Sequence, residues 1–468
     1  MEKLHADLCF KPALELRKMI KEKEISVEEL TRSFLERIEK VDPKINALVA
    51  QRAEAALKEA KALDEKQEGR DAPLFGVPLT VKDLNETLDM PTTFGSRLLK
   101  DFVTDFEALV ITRMKEAGGI VLGKTNTPEF GLLAVTDNKL FGATRNPWNL
   151  EHTAGGSSGG AGAAIAAGIS PLSQGNDGGG SLRIPAFCCG IYSIKPTRGR
   201  VPWAPVSHEF WAGIATNGPM ARTVRDAALM LDVISGPVVG EPYGVPLPSE
   251  PFLKACEKEP PKYRFAYTTS PPHGEVGPEV KKVFMEGVKT LESLGHHVEE
   301  ASPDLTELQD IFMCIIKVNT ASTFKMLQIP LDMHDELTSN ALQLAIQGFD
   351  ISGVEYNDAV IQARMRSAQI MEFWQKYDFF LTPTLTQLPP KIDEMSRILD
   401  YEALDWLAFT YPFNLTGQPA VSLPCGWSEK GNLPVGLQIV GPTASEDRLI
   451  SLSAQFESAR PWQDRRPG

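Results

Sequence analysis

Apolar residues recur at steps of three or four from Val27 through Leu30, Phe34 and Ile38 to Val41, which predicts one buried stripe on a helix. Ser26-Val27-Glu28-Glu29 ahead of it has the capping-box order, with Ser at the N-cap and Glu three residues on, and Asp42-Pro43 marks an exit. A charged run from Glu54 to Asp71 reads as a solvated helix face and its end. Then the period changes. Leu79-Thr80-Val81 is a short strand with Lys82 at its end. Residues 106–117 return to helical spacing, Gly118-Gly119 closes that helix, and Ile120-Val121-Leu122 follows as a strand. A small-residue helix over 161–167, a helix capped at Thr223 and ended by Gly236, a strand at 264–268, a helix at 278–294 and a strand at 297–300 continue the alternation.

Strands alternating with helices imply a layered α/β fold. The expectation is one large domain whose central mixed, mostly parallel sheet is covered by helices. It has a helical N-terminal segment over about 1–70, a core over about 71–235 and a helical cap over about 303–375. The Pro-, Gly- and Val-rich stretch from Ser235 to Pro261 reads as a surface crossover, because strand signals resume directly after it.

Composition narrows the function classes. Of 468 residues, 42% are apolar and 23% charged, which excludes bulk disorder. A formal net charge of −13 repels phosphate backbones and makes nucleic acid a poor partner. The first residues, Met1 to Asp7, carry no apolar core behind a basic stretch, so no secretory leader is expected. Apolar runs fall well short of the ~20 residues a bilayer requires, so a cytoplasmic protein off the membrane is expected. Six cysteines include the adjacent Cys188 and Cys189 and no C-x-x-C pair, which argues against a disulfide framework and a zinc site. No metal or cofactor is called for. A homodimer is left open.

The most unusual chemistry lies in two glycine–serine turns. Gly155-Gly156-Ser157-Ser158-Gly159-Gly160 precedes the small-residue helix, and Gly178-Gly179-Gly180-Ser181 follows Asn176-Asp177. Consecutive glycines suit a backbone whose N–H groups must approach a bound oxygen, as an oxyanion hole requires. Gly155-Gly156-Ser157-Ser158-Gly159 also matches the nucleophile elbow G-x-S-x-G, with His208, His273, His296, His297 or His334 as a later partner. The elbow should follow a strand, whereas residues 148–154 read as polar and turn-like. No Gly-Lys-Ser/Thr closes either run, which excludes a P-loop. Ser322-Thr323-Phe324-Lys325 matches S-x-x-K without its companion motifs and is taken as chance.

The stretch from Gly155 to Pro196 closely resembles the signature of the amidase signature family: G-G-S-S-G-G, an alanine-rich helix, then Asp177, Gly179-Gly180-Ser181, Arg183, Pro185-Ala186, Cys189-Gly190 and Lys195-Pro196. Gly76-Val77-Pro78 with Val81-Lys82-Asp83, Gly123-Lys124-Thr125-Asn126, Arg145-Asn146-Pro147, the run from Asn414 to Ala420 and the run from Gly436 to Gly441 are similar too. The resemblance implies a serine amidohydrolase with Ser181 as nucleophile, Ser157 as relay behind a cis Gly156–Ser157 peptide, and Lys82 as base. It also implies an oxyanion and substrate site at Gly131, Gly178, Gly179 and Gly180, with Ser158, Asp177 and Arg183 in support. Lysine serves as a base only when neutral, so its pKa must fall below the usual value of about 10.4, and burial does this.

Two departures from the family pattern bear on substrate. Asn176 and Gly178 flank the Asp where the family has Thr or Ser before it and a larger residue after it; the triple glycine should loosen that loop and widen the oxyanion side. Ile184 stands where glutaminase-type members of tRNA-dependent amidotransferases place Gln. With Phe187 and Trp203 nearby in sequence, it points to small, partly apolar amides, with side activity on anilides, esters or carbamates. The alternatives are a glutaminase-type component of a tRNA-dependent amidotransferase, an esterase using Ser157 and a histidine, and a non-enzymatic binder on the same scaffold. Residues 303–375 and those near Gly131 are expected to shape the pocket; Met313 and Cys314 could line it, but buried packing is the preferred reading for both.

Overall fold

The computed structural model describes residues 7–66, 69–205, 208–398 and 402–468; the reading of the N-terminal residues before Asp7 lies outside them. Among the described residues eleven strands form one sheet: β1 (Leu48–Gln51), β2 (Pro78–Lys82), β3 (Ile120–Thr125), β4 (Leu172–Asp177), β5 (Tyr192–Lys195), β6 (Thr216–Ala221), β7 (Arg264–Tyr267), β8 (His297–Glu300), β9 (Phe379–Pro383), β10 (Ala420–Trp427) and β11 (Pro434–Val440). Their spatial order is β1-β3-β2-β4-β6-β5-β10-β11-β9-β7-β8.

The sheet is mixed. β3, β2 and β4 run parallel at one side, and β9, β7 and β8 at the other. The middle, from β4 through β6, β5, β10 and β11 to β9, is antiparallel. The parallel share is therefore smaller than the strand–helix alternation implied. β10 and β11 are joined by a direct turn, and β6 returns beside both β4 and β5, two connections in which no helix forces a parallel crossover.

The helices needed below are α1 (Val27–Ile45), α2 (Gly159–Ala166), α3 (Arg183–Cys189), α4 (Leu308–Met326), α5 (Ser339–Asp350) and α6 (Gly353–Met371). The capping box forms at Ser26: Glu29 N–H donates to Ser26 Oγ at 3.1 Å and Ser26 N–H to Glu29 Oε2 at 2.9 Å. α1 continues past Pro43 for a last partial turn and stops at Asn46, whose φ of 55° is left-handed. Val27, Leu30, Phe34 and Ile38 are all buried, as the spacing predicts. Burying each is worth about 1.5–3 kcal/mol before entropy is set against it. The segment before Gly155, read as a turn, contains a strand: Asn149–Thr153 pairs with Arg145–Asn146 in a two-stranded ribbon.

The cap is α4, α5 and α6, and one buried carboxylate ties it to the sheet side. Glu129 Oε2 accepts from Thr338 N–H and Thr338 Oγ1, both at 2.7 Å, and Thr338 is the N-cap of α5. The loop carrying Glu129 also carries Gly131, so cap and site loop are fixed to each other.

Candidate active site

Among the described residues three lysines are buried in the core: Lys82, Lys124 and Lys195. Lys124 is neutralised by Asp83, 3.0 Å away. Lys195 donates to the Pro196 carbonyl at 3.0 Å, and burial with the Arg183 charge pushes it down to about 7. Lys82 ends β2. Its Nζ lies 2.7 Å from Ser157 Oγ and 2.7 Å from Asn176 Oδ1, both uncharged. Burial drives its pKa well below the ordinary lysine value, and the pull of Asp177 in the other direction does not offset this. A buried cation with only neutral partners is costly, so this setting favours the free amine over the charged form.

Neighbouring parallel strands bring these groups together. β2 and β4 end side by side, so Lys82 and Asn176 emerge at the same edge, the carboxyl ends where open α/β sheets place their ligands. Ser157 sits just ahead of α2, whose residues are all buried glycine, alanine and isoleucine. The Gly156–Ser157 peptide is cis. Ser158 N–H donates to the Ser181 carbonyl at 3.2 Å and Ser158 Oγ to the Asn176 carbonyl at 3.1 Å, which lashes the two glycine–serine turns together.

The turn from Gly178 to Ser181 hangs on a fully buried ion pair. Arg183 donates through Nε to Asp177 Oδ2 at 3.0 Å and through Nη2 to Oδ1 at 2.9 Å. Its remaining donors reach the Thr410 carbonyl and Gln438 Oε1 at 2.8 Å, and Asn414 Oδ1 at 2.6 Å. Burial alone would raise the Asp177 carboxyl; Arg183 outweighs it, aided by Lys195 and Asn414, and brings it down to about 2. Asp177 in turn accepts from Gly180 N–H at 2.7 Å and Leu182 N–H at 3.1 Å.

Two of the four glycines expected to face an incoming oxygen have their N–H groups in use. Gly180 N–H donates to Asp177, because an Asp side chain folds readily onto the backbone a few residues ahead. Gly131 N–H closes a turn on the Pro128 carbonyl at 2.9 Å, although Gly131 itself comes against Ser157: a Cβ there would stand 3.4 Å from Ser157 Oγ.

The triple glycine does not open the loop as expected, because aromatic rings fill the space. A Cβ on Gly178 would run into the Trp211 ring and one on Gly179 would stand 2.9 Å from Phe312. Gly178→Ala is therefore expected to displace Trp211, destabilise the chain by about 1–3 kcal/mol as overpacking does, and raise KM. Thermal melting and steady-state kinetics check this; an unchanged KM would mean that Trp211 is not part of the site.

Ser181 stands where two cavities meet. One, of about 400 Å³, is lined by Gly179, Ile184, Phe312, Met313 and Ile316 among others. The second, of about 370 Å³, includes Ser157, Asn176, Gly178, Phe130 and Trp203. Gly131, Leu132 and Trp211 border both. Ile184 thus reaches a cavity wall, as expected, and Met313 does too, against the packing role preferred from sequence. Phe187 does not: it is buried against Gly436. Cys314 is half-buried and lines neither cavity.

For the elbow reading, Ser157 is shown with no histidine partner among the described residues, and His208 and His297 face Glu241 and Glu299. Ser157 Oγ meets Lys82, while His273 is bound to Asp405 and Tyr411 and His296 to Gln455. Ser322 and Lys325 are both exposed on α4. Among the described residues no His, Cys, Asp and Glu cluster suits a metal, and no helix is long and apolar enough to cross a membrane. Sequence reasoning missed Asn176 as a direct partner of Lys82, and Trp211, Phe312 and Thr410 as walls and anchors. Asn414 and Gln438 did carry a signal, since both lie inside stretches that match the family.

The Amidase family profile matches residues 29–450. An acylamidase of Rhodococcus erythropolis is 35% identical over 465 residues, spanning 97% of this chain and 96% of its own. A 6-aminohexanoate-cyclic-dimer hydrolase of Paenarthrobacter ureafaciens is 35% identical over 475 residues, spanning 96% of this chain and 94% of its own. The solved structure of 6-aminohexanoate cyclic dimer hydrolase complexed with substrate superposes with a TM-score of 0.92 at 33% identity, covering 98% of this chain and 99% of that one. Matched over most of its length in sequence and in fold, the chain belongs to the amidase family and is a hydrolase of amide C–N bonds.

Proposed function

We propose that Ser181 is the nucleophile, Ser157 the proton relay and Lys82 the general base in the hydrolysis of small, partly apolar carboxylic amides. One observation carries this reading: Lys82, fully buried and without a carboxylate partner, lies 2.7 Å from Ser157 Oγ. With Lys82 neutral, the Ser157 hydroxyl donates to its lone pair and is ready to accept the proton of Ser181. Ser181 Oγ then bonds to the amide carbon. The carbonyl oxygen takes up charge facing the N–H groups that Asp177 and Pro128 leave over, those of Gly178, Gly179 and Ser181. The proton returns through Ser157 to the amide nitrogen, the C–N bond breaks, and the amine departs. Water, deprotonated by the same relay, then bonds to the acyl carbon, the bond to Ser181 Oγ breaks, and the relayed proton returns to Oγ as the acid leaves.

The similarity to an acylamidase and to 6-aminohexanoate cyclic dimer hydrolase supports a small-molecule amide as substrate. Ile184 on the cavity wall supports an apolar acyl group over the amide side chain of glutamine. Trapping tests the nucleophile. After brief reaction with p-nitrophenyl hexanoate and acid quench, peptide mapping should find the hexanoyl group on Ser181; a label on Ser157 would restore the elbow reading and overturn this one.

A further inference from the structure

We propose that the two cavities divide the substrate at its scissile bond, with the leaving amine in the aromatic cavity beside Ser157 and the acyl group in the cavity beside Ile184, so that amides of benzylic and aromatic amines are preferred. This rests on the roles given above to Ser181 and Ser157.

The two serines differ in which walls they share. Ser181 borders both cavities, as the atom that attacks the carbonyl carbon must if the two halves of an amide extend to either side of it. Ser157 and Asn176 border only one. The hydroxyl that returns the proton must reach the nitrogen, within about 2.6–3.2 Å in the reacting complex. The nitrogen and its substituent therefore lie on the Ser157 side. Bond making and breaking then follow one geometry: Ser181 Oγ joins the carbon, nitrogen takes the relayed proton, and the amine is left in the cavity it already occupies.

The chemistry of the two walls differs. On the Ser157 side, Phe94 stacks on Phe130 with centroids 6.5 Å apart, Phe130 meets Phe324 at 5.7 Å, and Trp203 meets Phe210 at 4.9 Å. Phe106 completes an aromatic enclosure whose surfaces suit the face and edge of a planar ring. The Ile184 side is richer in aliphatic residues, with Ile316, Leu344 and Leu407 alongside the Phe312 and Trp211 rings, and carries Lys317, Asn340, Gln343 and Gln347 as its polar residues besides Ser181. That wall suits an alkyl acyl chain.

A pair of isomers separates orientation from intrinsic reactivity. N-benzylhexanamide and N-pentyl-2-phenylacetamide have the same atoms and an insulating methylene beside the ring, but place the ring on opposite sides of the amide. Wild type is expected to favour N-benzylhexanamide by about tenfold in kcat/KM, the scale on which hydrophobic pockets discriminate. Phe324→Leu and Phe106→Leu should each shrink that ratio by slowing the benzylamide; Phe106 is only half-buried, so its variant serves if Phe324→Leu fails to fold. Equal or reversed preference, a ratio unmoved by the soluble variants, or no turnover of either isomer by folded wild type would overturn the proposal. Ser181→Ala reports on the underlying reading instead: if it hydrolyses both isomers at wild-type rates, the nucleophile assignment fails whatever the ratio.

Discussion

Lys82→Met is expected to lower kcat/KM on a neutral amide by about 10²–10⁴-fold, the range of a lost general base, while raising the melting temperature. The two effects have one cause. In the folded chain Lys82 is buried among neutral partners and held well below its ordinary pKa, whereas in the unfolded chain it is protonated at neutral pH. Between the folded and unfolded values the unfolded state binds the extra proton, so stability increases as pH rises through that window and Lys82 costs stability below it. Methionine fills similar volume with no charge to desolvate. The activity has the matching sign: the working form is the free amine, so kcat/KM should fall as pH drops through the folded pKa of Lys82 and hold level above it. A variant that keeps near-normal turnover would remove Lys82 from the mechanism, whereas one that melts below wild type would mean that the lost contacts to Ser157 and Asn176 outweigh the relief of desolvation.

The sequence made some of this site legible because the relevant contacts are local. The capping box at Ser26, the strand ending at Lys82 and the two glycine–serine turns each span a few residues, and their residue types report backbone demands directly. The use of Gly180 N–H by Asp177 was equally local and readable in principle, since an Asp three residues ahead of a turn N–H is a common acceptor. What was not legible came from afar. Phe312 on α4 and Trp211 reach the glycine turn across the fold, and nothing in the spacing of Gly178 and Gly179 says which ring fills the space of the missing Cβ. The antiparallel middle of the sheet escaped for the same reason. Alternation of strand and helix reports connection lengths, while pairing direction depends on which distant strand a segment lands beside.

Arg183→Met is expected to destabilise the chain by about 3–5 kcal/mol at neutral pH and to abolish most activity, because it leaves a buried charge without its partner. Asp177 is held at about 2 against the opposing effect of burial, chiefly by this guanidinium. The stability that the pair contributes is present above the unfolded carboxyl value and is lost as pH falls toward the folded one. Without Arg183, burial should raise the Asp177 carboxyl, and it takes up a proton as the pH is lowered. The gap between variant and wild type should then narrow from pH 7 toward pH 4. Activity should not recover with it. A protonated Asp177 has one acceptor oxygen fewer for Gly180 and Leu182, and the groups that Arg183 reached at Thr410, Asn414 and Gln438 stay unpaired. Urea unfolding at several pH values, with kcat/KM measured alongside, reads both. A difference in stability independent of pH would mean that Arg183 acts through its packing alone. Near-normal turnover would mean that the turn from Gly178 to Ser181 keeps its shape without the ion pair, and the geometry of the nucleophile would then have to be set by the Ser158 and Thr410 contacts that remain.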